Sequence, residues 1–299
     1  MKKKLIYILI TLIILVGLIS LTVILINKKS NSLVNAIMEK NNTKSNNYKR
    51  VKSLKVLNEN SNFKNYVFTS NNSIYIFNPD ELDNGNFIYE KIYDAPKDIE
   101  IMNLLPGEGT DIKFIDTNDN LYILENENSN DNDKINYDTY KNAKYKLSNY
   151  KQKYSTNYLG KETNYDFMSE YVYSSNNVIY RKLYNENEKY PTSEEVKGNY
   201  KGEKVLRIYN ERIVKTNKSF YEIMTYYDSD TKKDETILVK IKLLIEHYDE
   251  ILTFTYKYVI LKNYTIIPIN DVMKNKPGFY ISNYFLSSFK NMKEVRYEE

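Results

Sequence analysis

From Leu5 to Ile26 the chain runs for 22 residues without a charge, mostly apolar, bracketed by Lys2, Lys3 and Lys4 before it and Lys28 and Lys29 after it. As a helix rising about 1.5 Å per residue, such a run crosses a hydrocarbon core of about 30 Å. A cleaved signal has a shorter apolar stretch, about 7–15 residues, and a small-residue cleavage site. Ile24-Leu25-Ile26-Asn27 offers no such site. The pattern predicts an uncleaved, single-pass transmembrane anchor over 1–28, with residues 5–26 in the membrane. An extracytoplasmic soluble domain is the expected orientation, although the lysines on the two flanks nearly balance and a cytoplasmic domain is the alternative.

Residues 29–60 read as a linker, with one short helix over Asn31–Lys40 through Leu33, Ile37 and Met38. Over 61–125 the period changes to two, giving a β-rich segment. Tyr66–Ser70 and Ser73–Phe77 flank Asn71-Asn72, and because asparagine tolerates positive φ this predicts a tight hairpin. Ile112–Ile115 and Leu121–Leu124 repeat the arrangement, and Phe87–Tyr93 and Ile99–Leu105 supply further strands. Gly107-Glu108-Gly109 reads as a turn, since no Gly-Lys-Ser/Thr follows to make a phosphate loop. The polar, acidic stretch Glu125–Lys134 reads as a domain boundary.

Over 135–299 an α+β domain is expected. Tyr137, Tyr140, Lys144, Leu147, Tyr150 and Tyr154 recur at three to four residues, a helical stripe. Tyr165–Tyr184 fits either a hairpin around Asn176-Asn177 or a helix capped by Ser174 or Ser175. Val205–Val214, Ser219–Tyr227, Thr236–Glu246 and Ile251–Leu261 read as four long strands in one antiparallel meander. Its apolar face needs a cover, which the upstream helices provide. The predicted fold class is therefore α+β: a transmembrane helix, a hairpin-rich segment, and helices packed on a curved antiparallel sheet.

Composition narrows function by exclusion. The net charge is +4, with 43 basic and 39 acidic residues interspersed, so a nucleic-acid partner is not expected. With no cysteine and a single histidine, thiolate catalysis and two-histidine metal sites are excluded within one chain. His247 lies in a predicted turn rather than a triad. The 31 tyrosines serve as amphipathic core residues. Asp116, Asn118, Asn120 and Glu127 have the one-three-five-twelve spacing of a calcium loop. Its sixth position is Leu121 instead of glycine, so a polar hairpin turn is the simpler reading. The chain is expected to be no enzyme and to need no cofactor.

Asn275-Lys276-Pro277-Gly278-Phe279-Tyr280-Ile281-Ser282-Asn283-Tyr284, following a single span, helices and a long meander, resembles the last-strand element of the inner-membrane assembly (bridge) family of type IV secretion and conjugation systems. The likeness covers about half the chain, 135–285, and departs where Lys276 separates Asn275 from Pro277. The resemblance implies a nuclear-transport-factor-2-like domain and a scaffold without catalysis, bridging other membrane or envelope proteins, with a possible homodimer. Pro277, Gly278, Phe279 and Tyr284 would then form the partner-binding edge.

A second class rests on the residues alone. Hairpins at 66–77, 112–124, 171–183 and 212–224 share an apolar-Tyr pattern at Ile74-Tyr75, Leu121-Tyr122, Ile179-Tyr180 and Phe220-Tyr221. They recur 41 to 59 residues apart, near the period of propeller blades, about 40–50. The alternative function is a surface-exposed, propeller-like module for ligand or partner recognition.

Overall fold

The computed structural model describes residues 2–41, 48–128, 135–148, 152–200, 202–228 and 232–273. The N-terminal apolar run forms one continuous helix, α1 (Lys2–Lys40). This helix is long and apolar enough to span a membrane, and its apolar side chains at Ile8 and from Ile10 to Leu25 are exposed.

Beyond α1 the described residues form five small sheets, arranged like propeller blades. Blade 1 is β1 (Asn62–Lys64), β2 (Val67–Ser70), β3 (Ser73–Phe77) and β4 (Tyr89–Asp94). Blade 2 is β5 (Ile101–Leu105), β6 (Ile112–Asp116) and β7 (Asn120–Asn126), edged by β8 (Tyr145–Leu147) and β9 (Gln152–Lys153). Blade 3 is β10 (Phe167–Met168), β11 (Val172–Ser175), β12 (Val178–Leu183) and β13 (Thr192–Glu195). Then β14 (Lys197–Gly198) adds in parallel to the outer edge of blade 4, which comprises β15 (Val205–Tyr209), β16 (Ile213–Thr216), β17 (Phe220–Asp228) and β18 (Lys233–Lys240). Blade 5 is β19 (Ile251–Phe254), β20 (Tyr258–Leu261) and β21 (Ile266–Pro268). Short helices fill connections: α2 (Pro79–Asp83), α3 (Tyr137–Lys141), α4 (Tyr154–Leu159), α5 (Lys242–Glu246) and α6 (Ile269–Met273).

The first strand of each blade is innermost, and these strands close a ring. Strand β1 packs against β5 and β19, and β10 packs against β5 and β15. The Tyr209 and Phe254 rings, 5.0 Å apart, join blades 4 and 5. Apolar faces of neighbouring blades cover one another. One cluster takes Ile115 and Leu121 from blade 2, Val172 and Ile179 from blade 3, and Val205 and Val214 from blade 4. Each such side chain, removed from water, contributes about 1.5–3 kcal/mol.

The chain's own beginning closes the ring. Residues 49–51 add an antiparallel edge to β21: Val51 N donates to Tyr264 O at 2.8 Å, and Ile266 N to Lys49 O at 2.9 Å. The turns joining the second and third strands of blades 1 and 3 are the Asn-Asn pairs. Asn71, Asn72, Asn176 and Asn177 all have positive φ, as tight hairpins require. The second asparagine of each pair also reaches the next blade. Ile101 N donates to Asn72 Oδ1 at 2.8 Å, and Val205 N to Asn177 Oδ1 at 3.3 Å. The hairpin tip thus satisfies the first amide of the following innermost strand.

The N-terminal helix and the antiparallel, hairpin-rich body agree with the sequence. The single curved sheet beneath helices does not. Val205–Val214 breaks at Asn210 and Glu211, both at positive φ, into β15 and β16. Thr236–Glu246 ends as α5, and Ile251–Leu261 divides into β19 and β20. The apolar faces are covered mainly by neighbouring sheets, and between blades 4 and 5 also by α1, α5 and α6. The stripe from Tyr137 to Tyr154 gives the short helix α3, capped by Asn136, then β8 and β9, because Tyr145, Lys146 and Leu147 pair along β7. Tyr165–Tyr184 is the hairpin, not the capped helix. Segment 29–60, expected as a linker, holds the end of α1, the closing strand and a 3-10 turn, Lys52–Val56. Leu33 and Ile37 on α1 are fully buried between blades 4 and 5. Residues 129–134 of the stretch Glu125–Lys134 lie outside the described residues; β7, which ends before them, pairs with β8 (Tyr145–Leu147), which follows them.

Candidate functional site

Every innermost strand begins on one face of the ring, the start face, and ends on the other, the end face. On the end face the chain reverses towards the second strand, and in blades 1 and 4 it does so through Asn65, Asn210 and Glu211 at positive φ. Positive φ is uncommon for glutamate and marks a constrained position. These reversals bring four side chains to the axial mouth: Lys64 from blade 1, Glu170 from blade 3, Glu211 from blade 4 and Tyr256 from blade 5.

The four form one electrostatic unit. Lys64 Nζ meets Glu170 Oε2 at 2.8 Å, with the side chains 18 % and 23 % exposed. Glu170 N donates to Glu211 Oε1 at 2.8 Å. Burial works against the Lys64 charge, but the Glu170 hydrogen bond and the nearby Glu211 outweigh it and hold the ammonium above its ordinary range. Burial raises Glu211, with Lys64 opposing and Glu170 reinforcing the rise. Burial also raises the Tyr256 phenol. Deeper in, Lys182 is buried; its Nζ donates to Ser169 O at 2.7 Å and approaches Tyr154 Oη at 3.4 Å. That burial lowers Lys182 to about 8, against the pull of Glu211 and Glu170.

Beneath the mouth lies a cavity of about 10 Å³, lined by Asn62, Lys64, Asn103, Asn210, Glu211 and Tyr256 among others. That is the space of a single water, so an organic ligand has to be met at the rim. Asn62 Nδ2 donates to Asn103 Oδ1, and Asn103 Nδ2 to Met168 O at 2.8 Å, a polar floor across three blades. Both polar atoms of the Asn210 side chain are buried without a hydrogen-bond partner among the described residues. The rim itself is tyrosine. Tyr171, Tyr184 and Tyr256 are 48 %, 61 % and 47 % exposed. The rings of Tyr171 and Tyr184 meet edge to face at 6.2 Å, and Tyr184 Oη donates to Glu170 O at 3.1 Å.

No family model matches the chain, and neither does any curated protein or solved structure.

The residues singled out from sequence fall elsewhere. Pro277, Gly278, Phe279 and Tyr284 lie outside the described residues. Asp116, Asn118 and Asn120 share the β6–β7 turn, but Glu127 follows the far end of β7, about 20 Å along a strand. Asp116 spends its oxygens on its own turn: Oδ1 accepts from Asn118 N and Asn120 N, and Oδ2 from Asn120 Nδ2 and Tyr122 Oη. Glu127 faces Lys146 at 3.7 Å. The residues of the calcium spacing are thus spread along a hairpin, and no group of three or more His, Cys, Asp or Glu side chains placed to hold a metal ion occurs among the described residues. His247 Nδ1 lies 3.0 Å from Glu250 Oε1, beside α5 and away from the mouth.

Sequence reading missed Lys64, Glu170, Glu211 and Tyr256 because they share no local motif. They do share a position in the blade repeat, the reversal after the innermost strand. Aligning the hairpins by their tips and reading back one strand finds them.

Proposed function

We propose that this protein is a membrane-anchored, non-catalytic recognition module whose binding surface is the tyrosine-rimmed mouth on the end face. The observation that carries the reading is the convergence of Lys64, Glu170, Glu211 and Tyr256 from four blades onto one axial point. Partly desolvated charges provide orientation, and exposed tyrosines provide contact area at little entropic cost, a combination found where proteins recognise one another. Helix α1 is the anchor, spanning the bilayer through residues 5–26 with the blades on the extracytoplasmic side. Scaffolding within an envelope-spanning secretion or conjugation machine shares this anchor and a partner surface. The propeller-like arrangement favours recognition of a ligand or partner over that narrower role.

The test is a variant carrying Tyr171→Ala, Tyr184→Ala and Tyr256→Ala, cross-linked in native membranes beside the parent chain. The expected result is selective loss of a cross-linked species with an unchanged melting temperature. A Lys97→Ala control, an exposed lysine in the β4–β5 connection away from the mouth, keeps that species. Identical cross-linking patterns for parent and triple variant refute the proposal.

A further inference from the structure

Helix α1 does not stop at the membrane; it continues into the blades, and its direction there is readable. Its last turn lies near the end face: Asn41 Nδ2 donates to Asp271 O at 2.9 Å on α6, which begins where β21 ends and whose Ile269 N donates to Lys257 O at 2.7 Å. Helix α1 also packs against the 3-10 turn Tyr248–Glu250, which lies on the start face just before β19, and Tyr248 borders the same apolar cluster as Leu33, Val34 and Ile37; with Asn41 held at the end face, that contact falls on the N-terminal side of the helix's last turn. Leu33 and Ile37, both fully buried, lie between. Followed backwards, the helix therefore leaves the body through the start face. From Leu33 to Ile26, the last residue of the uncharged run, is seven residues, about 10 Å of helix. A headgroup layer is about 5–8 Å deep on each side of the core. The unbroken helix leaves no slack for the body to turn over.

The start face of blades 4 and 5 carries charge suited to that position. Lys28 and Lys29 on α1, Lys52 and Lys55 after the closing strand, and Lys204 and Lys218 on blade 4 are exposed. None of these six has an ion pair among the described residues. The nearby acids are partly consumed. Glu59 meets Lys262 at 3.1 Å and Lys215 at 3.6 Å, and Glu203 meets Lys240 at 3.9 Å. Glu246 and Asp249 remain exposed. Clustered lysines beside a span are drawn to anionic headgroups in whichever leaflet faces them, because the attraction depends on the lipid charge and not on the side of the membrane.

We infer that the start face of blades 4 and 5 is a bilayer-contact surface for anionic lipid headgroups, which holds the tyrosine-rimmed mouth pointing away from the membrane. This rests on α1 being a membrane span. The absence of cysteine makes single-cysteine labelling clean. Lys218→Cys on the start face and Glu188→Cys on the end face are labelled with a fluorophore in the full chain. Each is reconstituted in phosphatidylcholine vesicles, with and without phosphatidylserine, containing a headgroup quencher. Quenching severalfold stronger at position 218 than at 188, and increased at 218 by phosphatidylserine, is expected. Equal or reversed quenching overturns the orientation, and indifference at 218 to phosphatidylserine overturns the headgroup contact. Failure of the unlabelled chain to float with vesicles instead refutes the anchor on which the inference stands.

Discussion

Replacing Leu33 with alanine separates a helix that merely tethers from one that is part of the folded body. Leu33 is fully buried in a cluster with Phe220 of blade 4 and Phe254 and Leu261 of blade 5. Leu33→Ala removes three carbons; at about 0.8 kcal/mol each, the transfer loss is about 2.4 kcal/mol. The unfilled cavity adds to this, bringing the expected cost to about 3–4 kcal/mol, within the range for buried leucine truncations. A body of this size loses about 2–4 °C per kcal/mol, so the melting temperature falls by about 6–16 °C. Ile19, 56 % exposed on the same helix, is the control, and Ile19→Ala leaves the melting temperature of the blades unchanged in detergent. The assay is near-ultraviolet circular dichroism of the full chain, whose tyrosines report the blades. Should Leu33→Ala and Ile19→Ala melt together with the parent chain, residues 29–40 are a passive linker and the docking of α1 is wrong.

Other changes probe the body directly. The value of about 8 for Lys182 lies below the ordinary 10.5, so between these pH values the unfolded chain binds more protons than the folded one, and this lysine makes stability rise with pH. Lys182→Met abolishes that contribution, seen as a parent-minus-variant unfolding free energy climbing by up to about 1.4 kcal/mol per pH unit in urea titrations; parallel profiles refute it. Asn72→Gly keeps the positive φ but loses bonds to Ile99 O at 2.6 Å and from Ile101 N at 2.8 Å, so it destabilises by about 1–3 kcal/mol, whereas Asn176→Gly at an exposed tip is near neutral. Equal effects in chemical denaturation count against the inter-blade role of the tip. Because Asp116 is saturated by its own turn, millimolar calcium leaves the melting curve unmoved while Asp116→Ala lowers it; a calcium-dependent rise in the parent restores the metal reading.

What the sequence made legible was local. Twenty-two uncharged residues read as a span without any tertiary information, and Asn71-Asn72 and Asn176-Asn177 read as hairpin tips because positive φ is written into asparagine. The division of 205–261 was hidden for the same reason in reverse. The break at Asn210 and Glu211 uses a glutamate in a conformation it rarely adopts, and nothing in an alternating run announces that. Tyrosine misled at 137–154 because it suits an amphipathic helix and a half-buried edge strand equally well. Tyr145 shows the second use, paired opposite Asn126.

The mouth was illegible for a deeper reason. Lys64 and Glu170 are separated by 106 residues, and what unites them is the count of strands between them, not any spacing of residues. A period that varies from 41 to 59 residues conceals equivalent positions from any fixed-interval search. The blades tolerate this because their long connections, such as those holding α2 and α3, leave from the ends of strands and do not disturb the ring. The innermost strands have no such freedom: each must present its end to the axis beside four others. The fixed positions are therefore the one or two residues after each innermost strand, while the connections elsewhere differ in length from blade to blade. Lys64, Glu170, Glu211 and Tyr256 occupy that place at the mouth, whereas the tips of blades 1 and 3 on the opposite face are the Asn-Asn pairs.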